Sequence, residues 1–213
     1  MSFKIAVLAS GNGSDLDAIY EEIDQGHLQD VEVSLVLSDK IESPALGKAK
    51  QRGIPAHFVD PKLYKNREDF DKALLALLQE IGQVDLVCLI GYMRILTPNF
   101  IEAYRGRIIN VHPSLLPKFG GIGWYGMKVH QAVLSHKEAW TGMTIHYVDF
   151  GVDSGPHVLQ KKIRVEADDT PETLKENVQK LEKEAYPEAI RIIQAKQKHS
   201  RQLEEKYANN KTT

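Results

Sequence analysis

The sequence predicts an α/β protein: one domain built on a mostly parallel, twisted sheet with helices on both faces. Three observations carry this. Short apolar runs alternate with amphipathic stretches, the pattern of repeated βα units. Leu86 to Ile90 is apolar at every position, as a strand covered on both faces must be. The 213 residues, 42% hydrophobic and 26% charged, suffice for one core without disulfide or metal staples.

The elements follow in order. Lys4 to Ala9 reads as a buried strand, and Leu16, Ile19, Tyr20 and Ile23 then share one helical face. Val31 to Leu37 is a second strand, followed by a helix around Pro44 to Arg52 and a short third strand from Ala56 to Val59. Phe70, Leu74, Leu77, Leu78 and Ile81 stripe a helix. Leu86 to Ile90 and Arg107 to Val111 are further strands. Phe119 to Gly126 carries four glycines among aromatic residues and reads as a long loop. Thr144 to Val148 and Val158 to Val165 would extend the sheet. Thr170-Pro171 is a helix start, with Thr as cap and Pro in the first helical position. Leu174, Val178, Leu181 and Ala185 share a face of that helix, and Pro187 is expected to interrupt or restart it. From Lys196 the chain is polar, and a frayed helical tail is expected over 196–213, beyond a domain of residues 1–195.

Composition excludes several function classes. With 27 basic and 29 acidic residues the net charge is −2, so no global basic field attracts nucleic acid. Cys88 is the single cysteine, which excludes an intramolecular disulfide framework and a multi-cysteine zinc site. The eight histidines are dispersed without a His-Glu-x-x-His pattern, and no metal is expected. No apolar run approaches a membrane span, and the start through Leu8 is too short for a signal peptide. The expectation is a cytoplasmic protein without membrane or nucleic-acid partners.

Three places carry candidate chemistry. Ser10-Gly11-Asn12-Gly13-Ser14-Asp15 lies between a strand and a helix. Glycines there admit close approach of a ligand, and helix N-terminal amides suit a phosphate; a plain capped turn is the alternative. It is not a dinucleotide fingerprint, because Leu16 holds the third glycine position, although Asp39 lies where a ribose-binding acid would be. Asn110 and His112, two apart on a strand that Pro113 ends, project to one face at the carboxyl edge of the sheet. An amide donor beside an imidazole can hold a developing oxyanion and exchange a proton; a locally bonded strand end is the alternative. Asp153, in Val-Asp-Ser-Gly-Pro, is a weaker candidate because Asp, Ser, Gly and Pro are all turn residues, and His146, Asp149 and His157 nearby are equally arguable.

Taken together, Ser10 to Ser14, Gly91 to Pro98, Asn110 to Lys118 and Gly142 to Gly155 occur in an order and spacing that resembles the phosphoribosylglycinamide formyltransferases. The resemblance runs from about residue 4 to 193. It implies a one-domain, Rossmann-like formyltransferase fold. It implies transfer of formyl from 10-formyltetrahydrofolate, as cosubstrate, to the amine of glycinamide ribonucleotide in purine synthesis. Carried over by motif, Asn110, His112 and Asp153 would be catalytic. Gly13, Ser14, Asp15, Gln179 and Glu182 would meet the ribonucleotide, and Arg67, Met93, Arg94, Ile95, Leu96 and Asn110 the folate. Residues 1–105 would form the ribonucleotide half and 106–195 the folate and catalytic half. Asp153 is expected to raise the pKa of His112 and favour its charged form. Three departures stand out: Asp15 where the family commonly has Asn, Phe150 for an acid, and the Gly120–Gly126 loop for the commoner Phe/Tyr-Pro-Gly continuation. A formyltetrahydrofolate hydrolase, which would carry an extra regulatory domain, and a nucleotide-binding module without chemistry are the alternatives. A monomer or a homodimer fits equally.

Overall fold

The computed structural model describes residues 2–210. In chain order the elements are β1 (Phe3–Ala9), α1 (Ser14–Asp24), β2 (Val31–Ser38), α2 (Pro44–Gln51), β3 (Ala56–Phe58), α3 (Arg67–Glu80), β4 (Leu86–Ile90), α4 (Pro98–Ala103), β5 (Ile108–His112), α5 (Met127–Ser135), β6 (Trp140–Tyr147), β7 (His157–Arg164) and α6 (Pro171–Asn210). The strands form one seven-stranded sheet in the order β3-β2-β1-β4-β5-β6-β7. Pairing is parallel from β3 through β5, and β6 is antiparallel to both its neighbours. The predicted mostly parallel sheet is therefore present.

Both faces of the sheet are covered. Side chains alternate along β1: Ile5, Val7 and Ala9 pack with Leu16, Ile19, Ala45, Val178, Tyr186 and Ile190 from α1, α2 and α6. Ala6 and Leu8 pack on the opposite side with Phe70, Leu74, Leu78 and Phe100 from α3 and α4. All five residues of β4 are buried for the same reason. At the edge, β7 places Lys161 and Lys162 in a half-exposed strand, which discourages pairing with another chain.

The chain turns one way from β1 to build β2 and β3, then returns to place β4 on the other side. The loops after β1 and β4 therefore diverge and leave a crevice at the carboxyl ends of the strands. No sheet boundary falls at residue 105, since β4 and β5 are hydrogen-bonded neighbours.

Two helices lie in stretches where the sequence suggested none. α4 is only six residues long, and α5 carries its buried Val129, Ala132 and Val133 within a short, mixed segment. The C-terminal helix also differs from expectation. α6 runs through Pro187 without a break, because Tyr186, Ala189, Ile190 and Ile193 around it are anchored in the core; packing outweighs the one lost backbone bond. Past Lys196 the helix is held rather than frayed up to Arg201. The Arg201 guanidinium donates to Asp85 Oδ1 at 2.7 Å, and Gln197 donates to the Asp85 carbonyl at 3.4 Å. Thr170 caps the other end, accepting from the Thr173 amide at 3.2 Å. No helix among the described residues is long and apolar enough to cross a membrane.

Candidate active site

The crevice is a cavity of about 860 Å³, lined by the turns after β1 and β4, the end of β5, the 121–126 loop, residues 148–153 and one face of α6. That volume lies towards the upper end of the range for small-molecule sites and leaves room for two ligands.

At one end is the glycine turn. Gly13 adopts φ 65°, and a Cβ there would lie 3.0 Å from the Ala45 Cβ, so a side chain would be both strained and crowded. The turn is braced from outside. Lys48 donates to the Asn12 carbonyl at 2.6 Å and to Asp17 at 2.6 Å, and the Ser43 hydroxyl donates to the Gly11 carbonyl at 2.8 Å. Ser10 donates to Asp39 at 2.6 Å and accepts from the Met93 amide at 3.0 Å, tying the β1 and β4 turns together. Asp39, the candidate ribose acid, is thus a strut between the turns.

At the centre Asn110, His112 and Asp153 meet. His112 is buried at the end of β5; its Nε2 lies 2.7 Å from the Phe119 carbonyl and its Nδ1 3.3 Å from Asp153 Oδ2. A carbonyl only accepts, so Nε2 carries the hydrogen and Nδ1 is the atom free to gain or lose a proton. Burial lowers the pKa of His112 below the ordinary imidazole value, outweighing the upward pull of Asp153 and the Phe119 carbonyl. The expected net rise is therefore reversed, and the neutral imidazole is favoured. Burial also pushes Asp153 upward. The neighbouring imidazoles of His146 and His112 and the Gly121 amide, which donates at 3.0 Å, more than offset it and hold the carboxyl below its ordinary value. Asp153 sits at φ 56°, a left-handed conformation that Asp tolerates better than most residues.

His146 completes the cluster. Cross-strand register sets it opposite Asn110. Its Nδ1 donates to the Tyr147 carbonyl at 2.9 Å, which leaves Nε2 to accept from Asn110 Nδ2 at 3.3 Å and to face Asp153 Oδ1 at 3.6 Å. The Asn110 amide is oriented by that bond.

Comparison with known proteins bears on this geometry. A model of the formyl transferase family matches residues 3–190. A phosphoribosylglycinamide formyltransferase of Bacillus subtilis is 39% identical over 190 residues, covering 89% of this chain and 94% of that one. The chain belongs to the phosphoribosylglycinamide formyltransferase family. A human trifunctional purine biosynthetic protein, adenosine-3, is 37% identical over 190 residues, which is 18% of its length. Among solved structures, glycinamide ribonucleotide transformylase 1 from Symbiobacterium toebii superposes with a TM-score of 0.83 at 40% identity, covering 89% of this chain and 86% of that chain. The corresponding protein from Geobacillus kaustophilus gives 0.83 at 33%, covering 91% and 99%.

Most residues singled out in the sequence line this formyltransferase cleft: Gly13, Ser14, Asp15, Met93, Arg94, Ile95, Leu96, Asn110, His112, Asp153, Gln179 and Glu182. Arg67 does not. It opens α3, and its charge acts on the buried carboxyl of Asp71. Arg94 stacks its guanidinium 4.9 Å above the Phe70 ring and lies 4.0 Å from Asp39. Met93, Ile95, Ile122, Tyr125 and Phe150 are all exposed and all line the cleft, giving it an apolar mouth. The substituted loop thus forms one wall, anchored by Phe119, whose ring meets Trp124 and His136 edge-on at 5.5 and 5.3 Å.

Sequence reasoning missed His130 and Lys175, and left His146 undecided. His130 comes from α5 and Lys175 from the first turns of α6, and both line the cleft. Burial, then the charge of Lys175, pushes His130 down to about 4. Helical spacing on α6 was the one available signal: Lys175, Gln179 and Glu182 share a face. Among the described residues no group of three or more His, Cys, Asp or Glu is placed to hold a metal ion.

Proposed function

We propose that this chain transfers the formyl group of 10-formyltetrahydrofolate to the amine of glycinamide ribonucleotide, giving formylglycinamide ribonucleotide and tetrahydrofolate in de novo purine synthesis. One observation carries the reading: an amide, an imidazole and a carboxylate converge on the floor of a cleft between helix N-terminal amides and an apolar mouth. The two ends differ as the two substrates do. The α1 amides beside Gly13 suit a phosphate, with Ser14, Asp15, Gln179 and Glu182 lining the same end. Met93, Ile95, Ile122, Tyr125 and Phe150 suit a flat aromatic donor, and Arg94 and Leu96 line the cleft with them.

The chemistry follows from the protonation states. The amine nitrogen attacks the formyl carbon, a C–N bond forms, and the carbonyl oxygen becomes an oxyanion. Asn110 donates an N–H to that oxygen. Neutral His112 takes the surplus amine proton at Nδ1, where Asp153 stabilises the imidazolium. The imidazolium then returns the proton to N10 of the folate as the N10–formyl bond breaks. One proton moves from amine to leaving nitrogen, and none is consumed.

The test is to follow donor deformylation with and without glycinamide ribonucleotide. Turnover that requires the ribonucleotide, matched by formylated product, is the expected outcome. Equal turnover without it identifies a hydrolase, and no turnover in either tube identifies a binding module; both refute the proposal.

A further inference from the structure

Two buried carboxyl groups, on the packed helices α1 and α6, line the cleft beside the glycine turn, close enough for the charge of Asp15 to act on Glu182. Asp15, in the first turn of α1, is 4% exposed, and Glu182, on α6, is 8% exposed; both line the cleft. Asp15 Oδ1 is buried and has no hydrogen-bond partner. α1 contributes Ser14, beside Asp15 in the first turn, and Asp17, whose own carboxylate is taken by Lys48 at 2.6 Å. α6 contributes Glu182, Lys183 and Tyr186; Lys183 acts on Asp15 through charge alone. β4 contributes Cys88, which meets Tyr186 behind the pair. The Tyr186 hydroxyl is committed to the sheet, donating to the Leu89 carbonyl at 3.0 Å.

We propose that Asp15 and Glu182 share one proton, that this proton makes the pair a hydrogen-bond donor to the bound ribonucleotide, and that ribonucleotide binding therefore takes up a proton at any pH where the free pair has lost it. The proposal rests on the functional reading above. Two neighbouring buried carboxyls disfavour double ionisation, because each charge is desolvated and repels the other. Burial pushes both upward, and Asp15 pushes Glu182 further. A phosphate at the α1 N-terminus adds negative charge beside them and raises both again. An ionised Asp15 would repel that phosphate. A shared proton removes the repulsion and leaves an O–H where the amide commonly found in the family would present an N–H. The difference is that this donor titrates. Affinity is greatest below the pKa of the pair and falls as pH rises through it, with a limiting slope of about tenfold per pH unit for one proton.

The test is calorimetric titration of the full chain with glycinamide ribonucleotide, in two buffers of different ionisation enthalpy, from pH 6 to 9 (about neutral, spanning the window in which raised carboxyls titrate). Asp15→Asn is measured beside the unsubstituted protein. The ligand's own amine and phosphate titrate in both and cancel in the difference. The unsubstituted protein is expected to take up more protons than Asp15→Asn, by up to about one. Its Kd should rise more steeply with pH, and the KM for the ribonucleotide should show the same divergence while the donor's does not. Glu182→Gln, which keeps Asp15 but removes its partner, should lower the proton count as well. Equal proton counts and parallel Kd curves in Asp15→Asn and the unsubstituted protein overturn the shared proton. A chain that binds no ribonucleotide at any pH overturns the functional reading instead, so the two failures are distinct.

Discussion

Replacing Asp153 with Asn removes one charge and little else. Asn tolerates the left-handed backbone at this position and can still accept from the Gly121 amide. The charge it loses lies 3.3 Å from His112 Nδ1. At an effective dielectric of about 20, attraction between that carboxylate and an imidazolium is about 5 kcal/mol. This is a ceiling, since the Asn dipole retains part of it; about 3 kcal/mol of lost barrier stabilisation is expected. At roughly 1.4 kcal/mol per decade, kcat falls about 10²–10³-fold. The charge is needed only once His112 holds the amine proton, so the KM for both substrates stays close to its original value. Asp153 is also what holds the His112 pKa up against burial. Without it that pKa falls further, and the acid limb of kcat/KM moves to lower pH. Steady-state assays from acid to neutral pH read both effects. A kcat within tenfold of the unsubstituted enzyme, or an acid limb that stays in place, refutes the reasoning.

Asn110→Ala removes the oxyanion donor and should cost about 2.7–4 kcal/mol in kcat/KM, read in the same assay. Gly155→Ala places a Cβ against the Tyr147 carbonyl, a backbone atom that cannot yield, and should destabilise the fold by about 1–3 kcal/mol in urea titration. Burial raises the Asp85 carboxyl, but the Lys4 amide, Arg201 and Gln83 together bring it below the ordinary value. A lowered native pKa means that its stabilisation is complete above the unfolded pKa of 3.8 and is lost as pH falls. Arg201→Ala should therefore cost under about 1 kcal/mol at neutral pH, because Arg201 is half exposed. It should also flatten the loss of stability on acidification, followed by thermal melts from pH 7 downward.

The sheet was legible because burial on both faces leaves unbroken apolar runs, of which Leu86 to Ile90 is the clearest. The site was legible where a single strand carries it: Asn110 and His112 are two apart before a proline, and β5 delivers both to the cleft. What depends on pairing across strands was not. His146 meets Asn110 through antiparallel register between β5 and β6, which no local pattern encodes. Asp153 reads as turn chemistry until its loop is brought onto His112. The sign of the His112 shift was lost for a related reason: the sequence names the charged neighbour but not the depth of burial that outweighs it. The C-terminal segment looked like a solvated tail because its anchor, Asp85, lies 116 residues away from Arg201.

The most direct measurement follows the formyl carbon itself. The donor is labelled at that carbon and incubated with the enzyme and glycinamide ribonucleotide, and the products are separated. The account predicts that all transferred label appears on the ribonucleotide amine, one formyl per tetrahydrofolate formed, and that the yield collapses in Asp153→Asn. Label recovered as free formate, at a rate indifferent to the ribonucleotide, would contradict it.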